Sequence, residues 1–367
     1  MESTNMRAES GFLKKRVMFV ATTISGGGAE RVFLNILNSL SLEHFDIFLS
    51  ITTKVNPESI NVDQRVRISV YNKVHARNAF FQLYNDILEF RPDYIFTSHF
   101  VIAYLFPLYK LLFRNAFKII IRIAVPPSEY PLKGFKVSLL KMISRLSYNR
   151  ADLIIAQTQF MKDDVQRAYS LNEDNIMVVR NIVDKDLLTV KANEKAEINF
   201  DPSCYNIVSA GALYSIKGFD LLIHAIAEAI YKIPNIRLYI FGDERYEMGY
   251  RDKLQNLILK LGLENYVFMP GHQENPFPYF KTANLFVLSS RKEGFPNVVL
   301  EALSLGTPVV ATNCVDFNGV IFDGINGYIV PAGSSGQIAD AIVNAYTFLN
   351  KKIEFALKNF DYEEVFQ

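Results

Sequence analysis

The sequence predicts an α/β protein with two doubly wound parallel sheets, one in each half of the chain. Short apolar runs of strand character recur along the sequence and alternate with segments of helical periodicity. The 367 residues suffice for two domains that each bury a core of their own. A polar, charged run separates the two sets of strands and marks the domain boundary. We therefore expect a first domain over residues 1–183, a linker over 184–205 and a second domain over 206–367.

The composition is that of a globular protein. Half of the residues are hydrophobic and 21% are charged, and the net charge of +1 indicates no general attraction to nucleic acid. Cys204 and Cys314 show neither a metal-binding spacing nor a disulfide framework, which fits a reducing compartment. The polar start contains acids, unlike a signal peptide, and no apolar run reaches the roughly 20 residues that span a bilayer. We expect a cytoplasmic protein that is soluble or peripheral to the membrane.

The first half carries six or seven predicted strands and a glycine-rich turn. The strands are predicted over 16–22, 46–52, 67–72, 93–99, 117–124, 152–158 and 176–181. The turn after the first strand ends at Gly28, and such a strand-to-helix turn suggests a phosphate neighbour. Arg31 occupies the third glycine position of the dinucleotide fingerprint, so the turn is not that motif. His99 and Arg122 lie at or near the ends of the fourth and fifth strands, on the ligand side of such a sheet.

A basic segment lies in the first half. Residues 103–150 carry nine Lys or Arg residues and a single acid, Glu129. The sequence from Lys133 to Arg150 predicts an amphipathic helix with Phe, Leu, Met and Ile opposite its cations. Such a helix either lies on anionic lipid or packs on the sheet with a solvated outer face, and the sequence leaves both open.

The second half contains a strand, loop, helix, strand unit near its end. Strands are predicted over 206–212, 237–243, 267–272, 285–290 and 308–312. Between the last two lie a tight loop and a helix of about two to three turns. Ligands of such sheets bind at the carboxyl ends of strands, where backbone N–H groups of a helix start favour anions such as a diphosphate. That place holds Glu293, Gly294, Phe295, Pro296 and Asn297.

Two carboxylates frame this loop. Glu293 precedes the helix, and Glu301 lies inside it, eight residues later. A lone glutamate in a helix is usually solvated, and the apolar neighbours of Glu301 on both sides weaken that expectation. A buried carboxylate needs partners, and the hydroxyl pair of a sugar is one kind of partner.

The stretch EGFPNVVLE and its continuation ALSLGTPVVAT resemble the Glu-x7-Glu signature of the retaining glycosyltransferases of family 4. The resemblance implies the GT-B fold, in which two Rossmann-like doubly wound domains face an interdomain cleft. It also implies that Glu293 lies against the donor sugar and that Glu301 binds the ribose of the nucleotide. Lys217, in a Lys-Gly pair after the strand at 206–212, would contact the donor diphosphate. The turn that contains Gly28 would face the cleft.

Through this resemblance we expect a hexosyltransferase that moves a sugar with retention from a nucleotide-sugar, preferentially a UDP-sugar. The acceptor would be a lipid-linked glycan intermediate of a surface polysaccharide of the capsule or O-antigen type. The expected catalytic residues are Glu293 and Lys217, and His99 and Arg122 are expected on the acceptor side. The expected donor-binding residues are Gly28, Lys217, Glu293, Gly294, Phe295, Pro296, Asn297, Val298 and Glu301. The resemblance implies no cofactor and no metal, and residues 103–150 are expected to contact the inner face of the membrane.

The chain departs from the family pattern at three places. Ala212 stands where an arginine would supply a second cation to the diphosphate, Gly319 stands where a glutamate is usual, and the C-terminal segment is short. A lost charge-assisted contact to phosphate is worth about 1.5–3 kcal/mol. The loss at Ala212 would therefore weaken donor binding without excluding activity.

Three other functions are alternatives to this one. A nucleotide-sugar epimerase would share the fold, and a partner subunit without catalytic activity would fit the departures at Ala212 and Gly319. A nicotinamide-dependent dehydrogenase would need the glycine fingerprint, which the turn at Gly28 lacks. The triplet from Asp184 to Asp186 is similar to the metal-binding motif of another glycosyltransferase fold, but it lies in the predicted linker and is not assigned to a site.

Overall fold

The computed structural model describes residues 13–24, 27–57, 60–73, 75–129, 135–349, 353, 355 and 359–366. For Ala76, Arg77, Phe100, Val101, Glu129 and 135–141 it describes the backbone only. The polar start of the chain, Gly26 and the first residues of the basic helix around Lys133 lie outside the described residues. The chain divides into two compact units, of which the first comprises residues up to Ile182 and again from Phe360, and the second comprises Val183–Asn359.

The first unit is a seven-stranded parallel sheet with helices on both faces. Its elements are β1 (Lys15–Ala21), α1 (Gly28–Ser39), β2 (Phe45–Ile51), β3 (Arg67–Val70), α2 (Phe80–Phe90), β4 (Tyr94–Thr97), α3 (Phe100–Ala103), α4 (Phe106–Leu112), β5 (Lys118–Arg122), α5 (Phe135–Asn149), β6 (Leu153–Ala156), α6 (Gln159–Tyr169) and β7 (Ile176–Val178). The strand order is β3-β2-β1-β4-β5-β6-β7. Alternate residues of β1 enter opposite layers, with Val17 and Phe19 in one core and Met18 and Val20 in the other.

The second unit is a six-stranded parallel sheet of the same kind. Its elements are α7 (Lys185–Ala192), β8 (Tyr205–Ala210), α8 (Phe219–Ala229), β9 (Ile236–Phe241), α9 (Tyr250–Leu261), β10 (Val267–Gly271), α10 (Phe277–Thr282), β11 (Leu285–Leu288), α11 (Asn297–Ser304), β12 (Val309–Thr312), β13 (Gly327–Val330) and α12 (Ser335–Ala345). The strand order is β10-β9-β8-β11-β12-β13. Ile207 and Val208 of β8 point into separate cores on the two faces.

Each sheet has a switch point, where the strand order reverses direction. In the first unit it lies between β1 and β4, and in the second between β8 and β11. Loops that leave the carboxyl ends of the two strands at a switch point diverge to opposite faces of the sheet, and the crevice between them is the usual ligand site of open α/β sheets. The two switch points therefore predict where each unit binds ligands.

The structure corrects the expected linker over 184–205. Asp184 caps α7 by accepting a hydrogen bond from the Leu187 N–H at 2.9 Å, so the segment begins a helix. The carbonyl oxygen of Lys191 in α7 accepts from Asn275 Nδ2 at 2.8 Å, and the Glu197 N–H donates to the Tyr279 hydroxyl oxygen at 3.1 Å. The segment is therefore packed into the second unit. The polar composition of residues 184–205 indicated a boundary, but composition alone does not show that α7 buries one face.

The structure also corrects the assignment of the chain's end to the second domain. Residues 360–366 belong to the first unit, where Tyr362 and Phe366 are 1% and 0% exposed. They pack in the core layer that contains α1 and one face of β1. Glu363 accepts from the Ser41 N–H at 2.8 Å and from His44 Nδ1 at 3.1 Å, which fixes the segment beside α1.

Candidate active site

The predicted donor site lies at the switch point of the second unit. The loop after β8 runs through a short 3-10 turn at Ser215–Lys217, and the loop after β11 leads into α11. The Lys217 ammonium donates to Glu293 Oε1 at 2.5 Å, and the Ser290 hydroxyl donates to the same oxygen at 2.7 Å. The structure thus brings the two predicted catalytic residues together, although 76 positions separate them in the chain.

The Lys217–Glu293 ion pair is largely shielded from solvent, with side chains 19% and 12% exposed. Burial alone would lower the pKa of Lys217, but the adjacent Glu293 carboxylate outweighs burial and raises the pKa above its usual value. Lys217 is therefore a positively charged group in a partly dehydrated place. Such a charge interacts with an approaching phosphate more strongly than a solvated lysine does.

Three further contacts hold the two loops in register. The Ser289 hydroxyl donates to the Lys217 carbonyl oxygen at 3.0 Å, and the Arg291 N–H donates to the Ile216 carbonyl oxygen at 2.7 Å. Gly218 has φ +65°, and a Cβ there would lie 2.1 Å from the Ser289 carbonyl oxygen. Only a glycine permits this approach of the two backbones, and the approach places Lys217 beside Glu293.

Arg291 strengthens the same junction with its side chain. Its guanidinium donates to both carboxylate oxygens of Asp220 at 2.8 and 2.6 Å and to the Ser215 carbonyl oxygen at 2.6 Å. The Tyr250 hydroxyl also donates to Asp220, at 3.1 Å. Bidentate pairs of this kind fix orientation as well as distance. Neither Arg291 nor Asp220 is predicted from the sequence, because no local pattern indicates a pair that lies 71 positions apart.

The predicted donor loop continues into α11. Pro296 is buried and stands at the N-cap of α11, where its side chain makes no capping hydrogen bond. Proline has no backbone N–H to lose, so it suits a helix entry. Gly294, Phe295, Asn297 and Val298 are half-buried around this entry. Backbone N–H groups at a helix start favour anions, and the binding of an anion at this loop stays a prediction.

Glu301 lies inside α11 and is 6% exposed. Its neighbours Leu300 and Ala302 are fully buried, so the side chain is not the solvated one that is usual for a lone glutamate in a helix. A carboxylate of this kind is kept only where hydrogen-bond partners meet it. Its assignment to a ribose stays a prediction.

Cys314 is a further group at this site that the sequence analysis did not assign. It follows β12, whose Thr312 donates through its hydroxyl to the Ser290 carbonyl oxygen at 2.5 Å. Burial raises the pKa of the Cys314 thiol to about 12, and the Glu293 carboxylate adds to the rise while Lys217 opposes it. The thiol is therefore neutral near pH 7 and sits within electrostatic reach of the ion pair.

The two departures from the family pattern have different surroundings. Gly319 is exposed and has φ +69°, a left-handed conformation that a glutamate would adopt only with strain. The backbone after β12 is therefore built for a glycine at this position. Ala212 is half-buried at the start of the loop that carries Lys217, and its methyl group supplies no charge.

In the first unit, Gly28 is the first residue of α1, the helix that follows the glycine-rich turn. The carboxylate of Glu30 reaches back and accepts from the Gly27 N–H at 2.9 Å. This carboxylate places a negative charge at the helix start. This negative charge would repel a phosphate bound at the turn, so the turn alone does not form an anion site.

His99 and Thr22 face each other at the switch point of the first unit. Thr22 follows β1 and His99 follows β4, and Thr22 Oγ1 lies 2.6 Å from His99 Nδ1. Burial lowers the pKa of His99 below its usual value; the Glu30 carboxylate opposes this shift and the Arg122 charge adds to it. His99 is therefore neutral near pH 7, and it lies at the ligand edge where the sequence placed it.

Arg122 points into the first unit rather than to a surface. It is 2% exposed, and its Nη2 donates to Asn181 Oδ1 at 2.5 Å. In the part of the chain that is described, its Nε and Nη1 have no hydrogen-bond partner, and the same holds for the nearby Tyr362 hydroxyl. Burial lowers the pKa of this guanidinium, which Tyr362 partly offsets. A direct contact with an acceptor is not available to Arg122 in this conformation.

Two family models match the chain, one in each half. The model described as Glycosyltransferase Family 4 matches residues 26–187, and the model described as Glycosyl transferases group 1 matches residues 204–347. The second match contains the whole junction of Lys217, Glu293 and Glu301. The first contains Gly28, His99 and Arg122.

Similar curated proteins carry related names. An uncharacterized glycosyltransferase of Methanocaldococcus jannaschii is 33% identical over 244 residues, which cover 64% of this chain and 59% of that protein. The N-acetylgalactosamine-N,N'-diacetylbacillosaminyl-diphospho-undecaprenol 4-alpha-N-acetylgalactosaminyltransferase of Campylobacter jejuni is 29% identical over 224 residues, which cover 61% of this chain and 55% of that protein. The chain thus spans less than two thirds of the length of these two relatives.

Among solved structures, the chain is similar to Anabaena HepE in complex with UDP-glucose. The TM-score is 0.72 at 19% sequence identity, and the alignment covers 90% of this chain and 89% of that one. At this identity the likeness concerns the fold.

Proposed function

We propose a reaction for this chain, which belongs to glycosyltransferase family 4, a family of hexosyltransferases with the GT-B fold. It transfers a hexose from a nucleotide-sugar to a glycan with retention at the anomeric carbon. The observation that carries the proposal is the junction of Lys217 and Glu293 at the switch point of the second unit. A cation, a carboxylate and the open start of α11 meet there, and a buried carboxylate, Glu301, lies one helix turn further.

The junction supports one role for each group. Lys217 and the N–H groups at the start of α11 stabilise the charge that develops on the leaving diphosphate as the bond between the anomeric carbon and phosphate oxygen breaks. Glu293 accepts hydrogen bonds from hydroxyl groups of the hexose and orients the ring. Glu301 holds the ribose. In this proposal the charge is met without a metal ion or cofactor.

The proposed donor is a UDP-sugar. Anabaena HepE, which has a similar fold, was crystallised with UDP-glucose, and uracil is common among the donors of the family. The missing cation at Ala212 leaves Lys217 as the principal charge for the diphosphate. Since one charge-assisted contact is worth about 1.5–3 kcal/mol, we expect donor binding that is weak but selective.

The proposed acceptor is a lipid-linked glycan intermediate of a surface polysaccharide, bound at the inner face of the cell membrane. The Campylobacter relative is named for an acceptor on diphospho-undecaprenol. Within the described residues, none of the helices combines the length and apolar character needed to cross a bilayer. The contact with lipid is proposed for a surface of the first unit.

The first unit offers such a surface on α4 and α5, which we call the α4–α5 face. Its exposed apolar side chains are Leu108, Leu111 and Leu112 on α4 and Met142 and Leu146 on α5, between 47% and 70% exposed. Exposed cations at Arg114, Arg145 and Arg150 accompany them. The Lys110 ammonium donates to the Arg150 carbonyl oxygen at 3.1 Å and holds the two helices together. Exposed apolar side chains accompanied by exposed cations are typical of helices that lie on anionic lipid.

Calorimetric titration with UDP, GDP and ADP tests the proposal. We expect selective binding of one nucleotide to the wild type, a loss of at least tenfold in affinity in Glu301→Gln, and no change in Glu264→Gln, a matched control at an exposed glutamate of the same unit. Binding of no nucleotide at millimolar concentration would instead favour the partner subunit without catalytic activity. If the bound donor is converted to an isomer rather than transferred, the protein is an epimerase.

A further inference from the structure

The switch point of the first unit holds a hydrogen-bonded pair that the proposed function does not use. Thr22 Oγ1 lies 2.6 Å from His99 Nδ1, a short distance for a neutral hydrogen bond. The two residues end the central strands β1 and β4, the place where open α/β sheets bind their ligands. In the second unit the equivalent place holds Lys217 and Glu293.

Threonines of the neighbouring strands and loops hold the backbone of both partners in place. The Thr22 carbonyl oxygen accepts from the Thr53 N–H at 2.9 Å, from the Thr53 hydroxyl at 2.8 Å and from the Thr52 hydroxyl at 3.2 Å. On the other side, the His99 N–H donates to Thr97 Oγ1 at 3.0 Å, and Thr97 donates to the Val20 carbonyl oxygen at 2.7 Å. The pair is therefore rigid, and its geometry is set by the strands.

The direction of the hydrogen bond depends on which ring nitrogen carries the proton. A neutral imidazole carries one N–H and one acceptor nitrogen, whereas a cation would carry two N–H groups. Burial disfavours the cation; Arg122 from β5 adds to this, and Glu30 from α1 opposes it. In the tautomer that accepts from the Thr22 hydroxyl at Nδ1, the ring proton lies on Nε2.

We propose that Thr22 is a positioning residue that fixes His99 as the neutral Nε2–H tautomer, so that Nε2–H donates a hydrogen bond to an oxygen of a sugar or phosphate at the carboxyl edge of the first sheet. This role for His99 rests on the proposed function and gives the first unit a defined contact to its substrate. It makes His99 a hydrogen-bond donor. A nitrogen that carries a proton cannot accept another, so His99 does not act as a general base through Nε2.

Long-range proton–nitrogen NMR correlation on protein with 15N-labelled histidine tests the tautomer without any sugar. The chain has five histidines, so a His99→Asn variant assigns the signals of His99. Near pH 7 we expect the pattern of a neutral Nε2–H ring in the wild type and in Thr22→Ser, and a change of that pattern in Thr22→Val. Thr189→Val, at an exposed threonine of the second unit, is the control and should leave the spectrum of His99 unchanged.

Two results would overturn the inference: an Nδ1–H or cationic ring in the wild type at pH 7, or an unchanged His99 pattern in a folded Thr22→Val variant. If Thr22→Val does not fold, the wild-type spectrum decides by itself. Kinetics add a second readout, because Thr22→Val should lower kcat/KM by about tenfold, whereas Thr22→Ser, which keeps the hydroxyl, should stay near the wild-type value. If neither the wild type nor any variant transfers sugar, the proposed function is wrong. The tautomer of His99 is tested separately, by the spectrum.

Discussion

At the scale of single residues, Gly218 is the position whose identity the junction depends on most directly. Alanine at Gly218 would meet the Ser289 carbonyl oxygen at 2.1 Å. We expect Gly218→Ala to cost about 1–2 kcal/mol for the left-handed backbone and about 1–3 kcal/mol more for the forced separation of the loops. Because the separation moves Lys217 away from Glu293, nucleotide affinity should fall as well. Urea unfolding and calorimetric titration measure the two effects.

Gly262 provides a matched control for this prediction. It has φ +66°, nearly the φ of Gly218, but nothing lies within 4 Å of a Cβ built on it. Gly262→Ala should therefore show the cost of the left-handed backbone alone, about 1–2 kcal/mol, with normal nucleotide affinity. Equal stability losses in the two variants, or normal nucleotide affinity in Gly218→Ala, would contradict the account of the junction.

Residues were predictable from the sequence where a local pattern conflicts with its surroundings. Apolar neighbours on both sides weakened the expectation of a solvated Glu301, and the missing N–H of Pro296 indicated a helix entry. Arg291 and Thr22 were missed for the opposite reason. Each is an ordinary polar residue in its own segment, and its role arises from a partner 71 or 77 positions away.

At the scale of elements, the last seven described residues complete the first unit. Phe366 is 0% exposed and packs against Phe19, Phe45, Tyr94 and Phe96, with ring centroids between 5.6 and 6.2 Å apart. We expect Phe366→Ala to destabilise the first unit by about 3–5 kcal/mol, since a buried ring leaves a cavity in a layer of rings. Urea unfolding followed by hydrogen exchange of β1 amides would measure the loss.

The control for Phe366→Ala is Phe160→Ala, at a phenylalanine of the same unit that is 49% exposed on α6. Its loss should stay well below that of Phe366→Ala, because less apolar area leaves water in the folded state. A protein that tolerates Phe366→Ala as readily as Phe160→Ala would show that the segment is not part of the core of the first unit.

Elements were predictable where their periodicity is long and apolar. The central strands of both sheets are mainly apolar runs, as is usual for strands covered on both faces, and their positions were predicted. The edge strand β13 was not predicted, because its apolar run of three residues is short and directly follows two turns. The role of the final segment could not be predicted either, since the layer that covers one face of β1 is known only when the sheet is assembled.

At the scale of the whole molecule, charge is distributed unevenly along a nearly neutral chain. Residues 103–150 contain nine Lys or Arg residues and one acid, while the remainder contains 30 Lys or Arg residues and 37 acids. The net charge of +1 therefore conceals a basic segment in an acidic protein. Such a distribution directs one surface, rather than the whole molecule, toward an anionic partner.

The α4–α5 face should bind vesicles that contain anionic phospholipid and should bind neutral vesicles much less, with a difference that shrinks as salt is added. Each basic residue near such a surface contributes about 1 kcal/mol, and each buried leucine side chain about 2 kcal/mol. Leu111→Asp and Leu146→Asp, at side chains 70% and 57% exposed, should therefore weaken vesicle binding more than tenfold in co-sedimentation.

Leu259→Asp, at a leucine of α9 that is 59% exposed, is the control and should bind as the wild type does. Equal binding to neutral and anionic vesicles, or an equal loss in Leu259→Asp, would show that this face is a solvated surface and that the acceptor reaches the protein by another route.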